Sequence, residues 1–306
     1  CEAAGPFTRR SLDLNTPTLS IVIPAYNEQA ALTRFLPEVV TFCREQGWEL
    51  ILVDDGSTDD TFRLFSEAAS DDNIAVIRHK VNRGYGGAIK SGIRAANSEY
   101  VATIDADGQH YLEEVKILFE ALLERDADLM IGSRKGLYPT NRYRDLGKRL
   151  IRFVATLLLD VHVFDINSGM KIARTDLAKR YLGLCPDSMA FSEIFTLVFI
   201  SHRHRVEEHP IRIKERVAGT STITTRTAFE TTMEILNLVV LFNPMRIFLP
   251  ISIASILLGV IWGLPIVLSG NGISVGAMLA IVTGIIFFFL ALLAEQISLI
   301  RRDRGN

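Results

Sequence analysis

Two carboxylates and an amide alternate along residues 105–109, where Asp105, Asp107 and Gln109 occupy every second position. The apolar residues 100–104 just before them predict a buried strand. Carboxylate and amide oxygens at the end of a strand suit a hard divalent cation such as Mg²⁺ or Mn²⁺. A bare carboxylate pair would repel a diphosphate, so a bridging cation is the economical explanation. Because an Asp-x-Asp pair also occurs in solvated turns, its neighbours must decide between the two interpretations.

Strands and helices alternate along the N-terminal two thirds of the sequence, which predicts an α/β fold with a mostly parallel sheet. The predicted strands cover residues 19–23, 49–53, 74–78, 100–104 and 128–131. Four helices are predicted. They cover residues 29–45 (bent or restarted near Pro37) and 112–124, and two others end near residues 69 and 96. Ligands of such sheets bind at the carboxyl ends of the strands. The first, second and fourth strands end in polar clusters there, which are Tyr26-Asn27-Glu28, Asp54-Asp55 and residues 105–109.

The glycines Gly84, Gly86 and Gly87 open the third predicted helix. A dinucleotide fingerprint would need a third glycine where Ile89 stands, and it would follow the first strand. We therefore expect close packing of a helix start, with backbone N–H groups available to a nucleotide or phosphate.

Two uncharged runs of 22 residues each, 247–268 and 273–294, lie near the C-terminus. Each makes a helix of about 33 Å, enough to cross a hydrocarbon core of about 30 Å. We expect a transmembrane hairpin rather than a pair of buried core helices. Arg246 precedes the first run and Arg301, Arg302 and Arg304 follow the second. By the positive-inside rule both termini and the N-terminal domain face the cytoplasm.

A basic amphipathic segment lies between the two regions. Seven basic residues fall between positions 134 and 152, opposed only by Asp145. Leu146, Leu150, Phe153, Val154 and Leu157 make one apolar face. This pattern predicts an interfacial helix over 141–160 that brings cations to a lipid phosphate, the alternative being a surface helix packed on the sheet. A second amphipathic stretch predicts a juxtamembrane helix over 223–243.

Composition excludes some classes of function. The net charge of −2 gives no basic field for nucleic acid. Three widely spaced cysteines form no metal pattern and fit a reducing compartment. We expect no zinc site at His202, His204 and His209, while His110 either touches the diphosphate or lies in a solvated loop.

Seven segments in register resemble glycosyltransferase family 2, specifically the polyprenyl-phosphate glycosyltransferases that include dolichol-phosphate mannose synthase. They are Ile23-Pro-Ala-Tyr-Asn-Glu28, Val53-Asp-Asp-Gly-Ser-Thr-Asp59, Asn82-Arg-Gly-Tyr-Gly-Gly-Ala88, Asp105-Ala-Asp-Gly-Gln109, Gly132-Ser-Arg134, Asn167-Ser-Gly-Met170 and Arg216-Val-Ala-Gly-Thr-Ser221. The C-terminal hairpin looks like that of the two-span bacterial members.

The resemblance implies a GT-A fold, inverting chemistry and a UDP- or GDP-linked sugar donor. Asp105, Asp107, Arg134 and Arg216 would be catalytic, and Asp105, Asp107 and Gln109 would hold Mg²⁺ or Mn²⁺. The donor would contact Pro24, Tyr26, Glu28, Asp55, Gly84, Asp105, Asp107 and Gln109. The lipid phosphate would meet Arg134, Ser221 and one or more of Arg144, Lys148 and Arg149.

We predict an integral membrane hexosyltransferase that moves a sugar from a nucleotide donor to undecaprenyl or dolichyl phosphate. The lipid phosphate is already anionic near neutral pH, because its second pKa is about 6, so no strong base is needed. Asp165 is then a structural or sugar-hydroxyl contact. The alternatives are a transferase with a glycan hydroxyl acceptor, which needs a carboxylate base, and a non-catalytic membrane scaffold. The predicted units are an extension (1–17), the catalytic domain (18–222), the juxtamembrane helix and the hairpin with its basic tail (244–306). A homo-oligomer is compatible with these expectations.

Overall fold

Strands and helices alternate in the N-terminal part of the computed structural model, which describes residues 18–69, 73–134, 162–214, 233, 244–270 and 272–305. The strands are β1 (Leu19–Ala25), β2 (Glu49–Asp54), β3 (Ile74–Arg78), β4 (Tyr100–Thr103), β5 (Leu129–Ser133), β6 (Lys171–Arg174) and β7 (Val206–Pro210). The helices are α1 (Gln29–Gln46), α2 (Thr61–Ala68), α3 (Tyr85–Ala95), α4 (Leu112–Glu124), α5 (Thr175–Tyr181), α6 (Phe191–Ser201), α7 (Met245–Leu268) and α8 (Val275–Gly305). A 3₁₀ turn, Leu182–Leu184, follows α5.

One seven-stranded sheet forms in the order β3-β2-β1-β4-β6-β5-β7. β1 pairs in parallel with both β2 and β4, as the alternating pattern predicts. β6 enters between β4 and β5 and runs antiparallel to both. The carboxyl ends of β1, β2 and β4 therefore meet at one edge of the sheet, which we call the rim.

Each face of the sheet carries its own apolar core. In β1, Ile21 and Ile23 pack with α1, α2 and α4 on one face. Val22 points to the other face, toward α3 and α6. Successive side chains of a strand alternate between faces, so a strand buried on both sides needs apolar residues throughout. The helix predicted to bend or restart near Pro37 is a single element, since α1 runs through that proline.

The C-terminal helices are apolar and mostly exposed. Their spans Met245–Leu268 and Val275–Ser298 have mean hydropathies of 2.4 and 2.7, and only 17% of the most apolar window of each is buried. A pair of core helices would be largely buried, so this low burial fits a membrane hairpin. The two helices pack on each other through small residues: Ser252 Oγ donates to the Gly284 carbonyl at 2.7 Å.

Candidate functional site

The side chains of Asp105, Asp107 and Gln109 are all partly exposed at the end of β4, while Ala106 and His110 are buried. A tight turn holds the segment, because Gly108 adopts φ +72° and the Gln109 N–H donates to Asp107 Oδ1 at 3.1 Å. The predicted donor oxygens therefore belong to partly exposed residues of one short loop. This arrangement fits a hard cation whose remaining ligands come from a diphosphate and water. No group of three His, Cys, Asp or Glu side chains suited to one ion occurs in the described ranges.

Asp105 is fixed from several sides. Tyr85 Oη donates to its Oδ1 at 2.8 Å, and His110 Nε2 lies 3.7 Å from its Oδ2. Burial by itself raises the pKa of Asp105, but the nearby His110 and the hydrogen bond from Tyr85 outweigh it and lower that pKa below its ordinary value. Asp105 is thus an oriented, ionised carboxylate. His110 is buried, so the expectation of a solvated loop histidine was wrong, while a contact with the diphosphate stays a prediction.

Arg134 follows β5 and is clamped by the loop before β6. Its Nε and Nη2 donate to the two oxygens of Asp165 at 2.7 and 2.8 Å, and Nη2 also donates to Asn167 Oδ1 at 2.7 Å. Burial alone would raise the pKa of Asp165, yet the hydrogen bonds and charge of Arg134 lower it. Because both oxygens of Asp165 accept from one guanidinium, this geometry fits the structural role expected for it and disfavours a general base.

A buried lysine, whose role was not predicted from the sequence, connects this loop to α6 by hydrogen bonds. Lys171 Nζ donates to the carbonyls of Ile166, Ser168 and Ser192 at 2.7 to 3.0 Å. Burial lowers the pKa of Lys171 to about 8, against the opposing effect of the Glu193 carboxylate. Burial likewise raises the pKa of Glu193, and Lys171 opposes that change. The available signal was a lysine placed directly before the apolar pair Ile172 and Ala173 of β6.

The rim at β1 and β2 is built by interlocked loops. Tyr26 is 46% exposed, whereas Pro24 is buried within β1. The Asn27 N–H donates to Ser57 Oγ at 2.9 Å, and the Glu28 N–H donates to Thr61 Oγ1 at 3.0 Å. Tyr26 can therefore meet a nucleotide at the surface, while the ring of Pro24 lies below it.

Asp55 and the glycine segment are more enclosed than expected. Asp55 is 2% exposed, and the Gly84 N–H donates to its Oδ2 at 2.9 Å. The Gly87 N–H donates to the Asp187 carbonyl at 3.2 Å. The expected close packing is present, since a Cβ on Gly84 would lie 2.5 Å from that same carbonyl. The expectation of open N–H groups was wrong for Gly84 and Gly87, because the chain itself uses them.

The predicted acceptor-side residues Arg144, Lys148, Arg149, Arg216 and Ser221, with the helices expected at 141–160 and 223–243, lie outside the described residues. The described chain before residues 215–232 ends at Lys214, beside the carboxylate loop. The Lys214 N–H donates to the Gln109 carbonyl at 2.7 Å, and Ile213 forms a β-bridge with His110.

The histidines near β7 form an aromatic cluster. Tyr181 Oη and His204 Nε2 lie 2.8 Å apart, and the Tyr181 and His202 rings have centroids 4.3 Å apart. Within the part of the chain that the structure describes, these histidines belong to no group of three His, Cys, Asp or Glu side chains that could hold a metal ion.

The sheet, the rim and the carboxylate loop define a GT-A nucleotide-diphospho-sugar transferase fold joined to a two-helix hairpin. The chain belongs to glycosyltransferase family 2: the family model "Glycosyl transferase family 2" matches residues 20–182, and "GtrB C-terminal hairpin" matches residues 243–300.

Two curated relatives and one solved structure illustrate the similarity. The undecaprenyl-phosphate 4-deoxy-4-formamido-L-arabinose transferase of Proteus mirabilis is 31% identical over 193 residues, covering 62% of this chain and 58% of that protein. The dolichyl-phosphate beta-glucosyltransferase of Dictyostelium discoideum is 30% identical over 185 residues, covering 53% and 55%. The chain thus matches a little more than half the length of each. Glucosyl-3-phosphoglycerate synthase from Mycobacterium tuberculosis, crystallised with Mn²⁺, UDP and phosphoglyceric acid, aligns with TM-score 0.55 at 20% identity, covering 73% of this chain and 78% of that one.

Proposed function

We propose that this protein transfers a sugar from a nucleotide-diphospho-sugar to a polyprenyl phosphate at the cytoplasmic face of a membrane, with inversion at the anomeric carbon. The observation that carries the proposal is the carboxylate loop at the rim, in a chain that continues into a membrane hairpin. The two curated relatives support the acceptor class, because both are named for a polyprenyl-phosphate acceptor. The hydroxyl-acceptor alternative needs a base, and Asp165 is poorly placed for that role because Arg134 holds both its oxygens.

In the proposed reaction, a lipid phosphate oxygen forms a bond to the anomeric carbon while the bond from that carbon to the nucleoside diphosphate breaks on the opposite face. The nucleophile is already an anion, so no proton has to be removed. Asp105, Asp107 and Gln109 would hold Mg²⁺ or Mn²⁺, which when bound neutralises the charge of the departing diphosphate. The neighbouring Arg134 adds a positive charge, and Asp165 and Asn167 fix the orientation of its guanidinium.

The remaining assignments are parts of the same proposal. Tyr26 and Glu28 would contact the donor nucleotide, and Arg216 and Ser221, with one of Arg144, Lys148 and Arg149, would bind phosphate groups. The catalytic domain would span 18–222 and the hairpin with its tail 244–306. Arg246 and the C-terminal arginines support a cytoplasmic location of both termini.

A donor panel tests this proposal. The full chain in lipid nanodiscs would be incubated with UDP- and GDP-linked sugars, undecaprenyl phosphate and either Mg²⁺ or Mn²⁺. We expect one donor to yield a glycosylated lipid phosphate, identified by mass, with inverted anomeric configuration by NMR. Transfer to sugar hydroxyls alone would establish the alternative function instead.

A further inference from the structure

A chain of three hydrogen-bonded side chains lies beneath the rim. His79 Nδ1 is 2.6 Å from Asp55 Oδ1, and His79 Nε2 is 2.8 Å from Ser91 Oγ. His79 is only 6% exposed and Asp55 2%. An ionised carboxylate only accepts hydrogen bonds, so Nδ1 is the donor to Asp55.

This chain has the connectivity of a Ser-His-Asp triad but lacks what nucleophilic catalysis needs. Ser91 lies within α3, and the Gly87 carbonyl one turn earlier, at 3.2 Å, is a second acceptor for its single hydroxyl hydrogen besides His79 Nε2. Burial of His79 keeps substrate away from the imidazole. The arrangement therefore serves to hold structure in place.

Asp55, held by His79, in turn hydrogen-bonds to the turn that opens α3. Its Oδ1 accepts from the Arg83 N–H and its Oδ2 from the Gly84 N–H, both at 2.9 Å. Asn82 Oδ1 accepts from the Gly84 N–H as well, at 2.9 Å. Gly84 adopts φ +89°, a region that few other residues occupy, so the turn requires glycine there, and the three hydrogen bonds fix the turn in place.

The turn lies at the rim, where the donor nucleotide is proposed to bind. A Cβ on Gly56 would lie 3.0 Å from the Asn82 nitrogen, so the turn packs directly on the loop after β2. The Arg83 side chain is exposed, and no ion pair or hydrogen bond of its guanidinium occurs within the described part of the chain. The backbone of this turn is thus held in place, and it carries the Arg83 guanidinium to the edge of the proposed nucleotide site.

We infer that His79 is a positioning residue for donor-nucleotide binding: through Asp55 it fixes the Arg83–Gly84 turn at the rim. This inference rests on the proposed function. It also changes the role of Asp55 from a direct contact with base or ribose to a support for the residues that make the contact.

Two near-isosteric substitutions test the inference. In His79→Asn the amide nitrogen occupies roughly the place of Nδ1 and can still donate to Asp55. In His79→Gln the amide extends toward Ser91, and the bond to Asp55 is lost. We expect His79→Gln to weaken UDP or GDP binding at least about tenfold, the size of a lost hydrogen bond to a charged group, and His79→Asn to stay within about threefold of wild type.

The measurements are the Kd of UDP and of GDP with Mn²⁺ present, by calorimetry on the full chain in detergent, and the KM values for donor and lipid acceptor. The inference predicts a raised donor KM in His79→Gln with the lipid KM unchanged. His202→Gln, in the distant aromatic cluster, is the matched control and should bind nucleotide like wild type. Equal nucleotide affinity in both His79 variants, or equal loss in both, would overturn the inference.

A failure of this inference can be distinguished from a failure of the proposed function. If wild-type protein binds UDP or GDP but transfers no sugar to polyprenyl phosphate, the acceptor assignment fails, while the ratio of nucleotide Kd values between the two His79 variants still decides the role of His79. If wild type binds neither nucleotide, both fail.

Discussion

Gly169 packs against the carboxylate of Asp105 so closely that a Cβ at position 169 would overlap Oδ2. Thr103 Oγ1 donates to the Gly169 carbonyl at 2.9 Å and holds the two segments together. The loop before β6 therefore sets the position of the first carboxylate of the metal motif. This contact explains on physical grounds why residue 169 has no side chain.

Gly169→Ala should displace Asp105 and lower sugar transfer by about tenfold to a hundredfold, because a shift of about 1 Å in a catalytic group has effects of this size. Initial rates at saturating donor would measure it. Gly183→Ala is the control: among the described residues, no atom beyond its own chain neighbours lies within 4 Å of its added Cβ, and its activity should equal wild type. Equal rates in both variants would contradict the proposed importance of the contact.

Asp107→Asn should reduce transfer by about a hundredfold to a thousandfold, because it removes one charge that holds the cation against the leaving diphosphate. Mn²⁺ binding followed by electron paramagnetic resonance should weaken in parallel. Asp60→Asn, in an exposed ion pair with Arg63, should change neither property. Wild-type Mn²⁺ affinity in Asp107→Asn would show that the cation binds elsewhere.

Asp165→Asn should lower stability at neutral pH by roughly 2 kcal/mol, because Arg134 loses a charged acceptor. The pKa of Asp165 is lower in the folded than in the unfolded chain. As the pH falls, the unfolded chain is protonated first, so the stabilisation is complete above about pH 4 and is lost below it. Melting temperatures between pH 6 and pH 3 should therefore fall less steeply in Asp165→Asn than in wild type.

The same variant distinguishes a support from a base. A support predicts reduced transfer with an unchanged shape of the pH–rate profile. Loss of the acidic limb of that profile would identify Asp165 as a general base and favour the hydroxyl-acceptor alternative.

Gly284→Leu should destabilise the hairpin by about 1–3 kcal/mol, since its side chain would be forced into α7. A Cβ alone at this position would lie 2.5 Å from Ile256 and 2.8 Å from the Ser252 carbonyl. Thr283→Leu places the same side chain at an exposed neighbouring position and should be tolerated. Thermal unfolding in nanodiscs would measure both, and equal midpoints would contradict the observed helix packing.

Much of the fold follows from local sequence. The apolar runs of β1 to β5 and the periodic segments of α1 to α4 lie within a few residues of their predicted positions. Short β-branched runs bounded by turn residues specify strands locally, which is why those elements could be read directly. β6 was not predicted, because its place between β4 and β5 depends on pairing with strands distant in the chain.

The candidate site likewise has parts that could be predicted from local sequence and parts that could not. The sequence alone determined the carboxylate loop, its place at the end of β4 and the apolar hairpin, because each is a contiguous pattern whose chemistry lies in its own residues. Only the tertiary structure decided that Tyr85 and Gly169 orient Asp105, that Arg134 pairs with Asp165, and that His79 lies behind Asp55. Those contacts join residues 20 to 64 positions apart in the chain, and their free energy exists only once the sheet has brought the elements together.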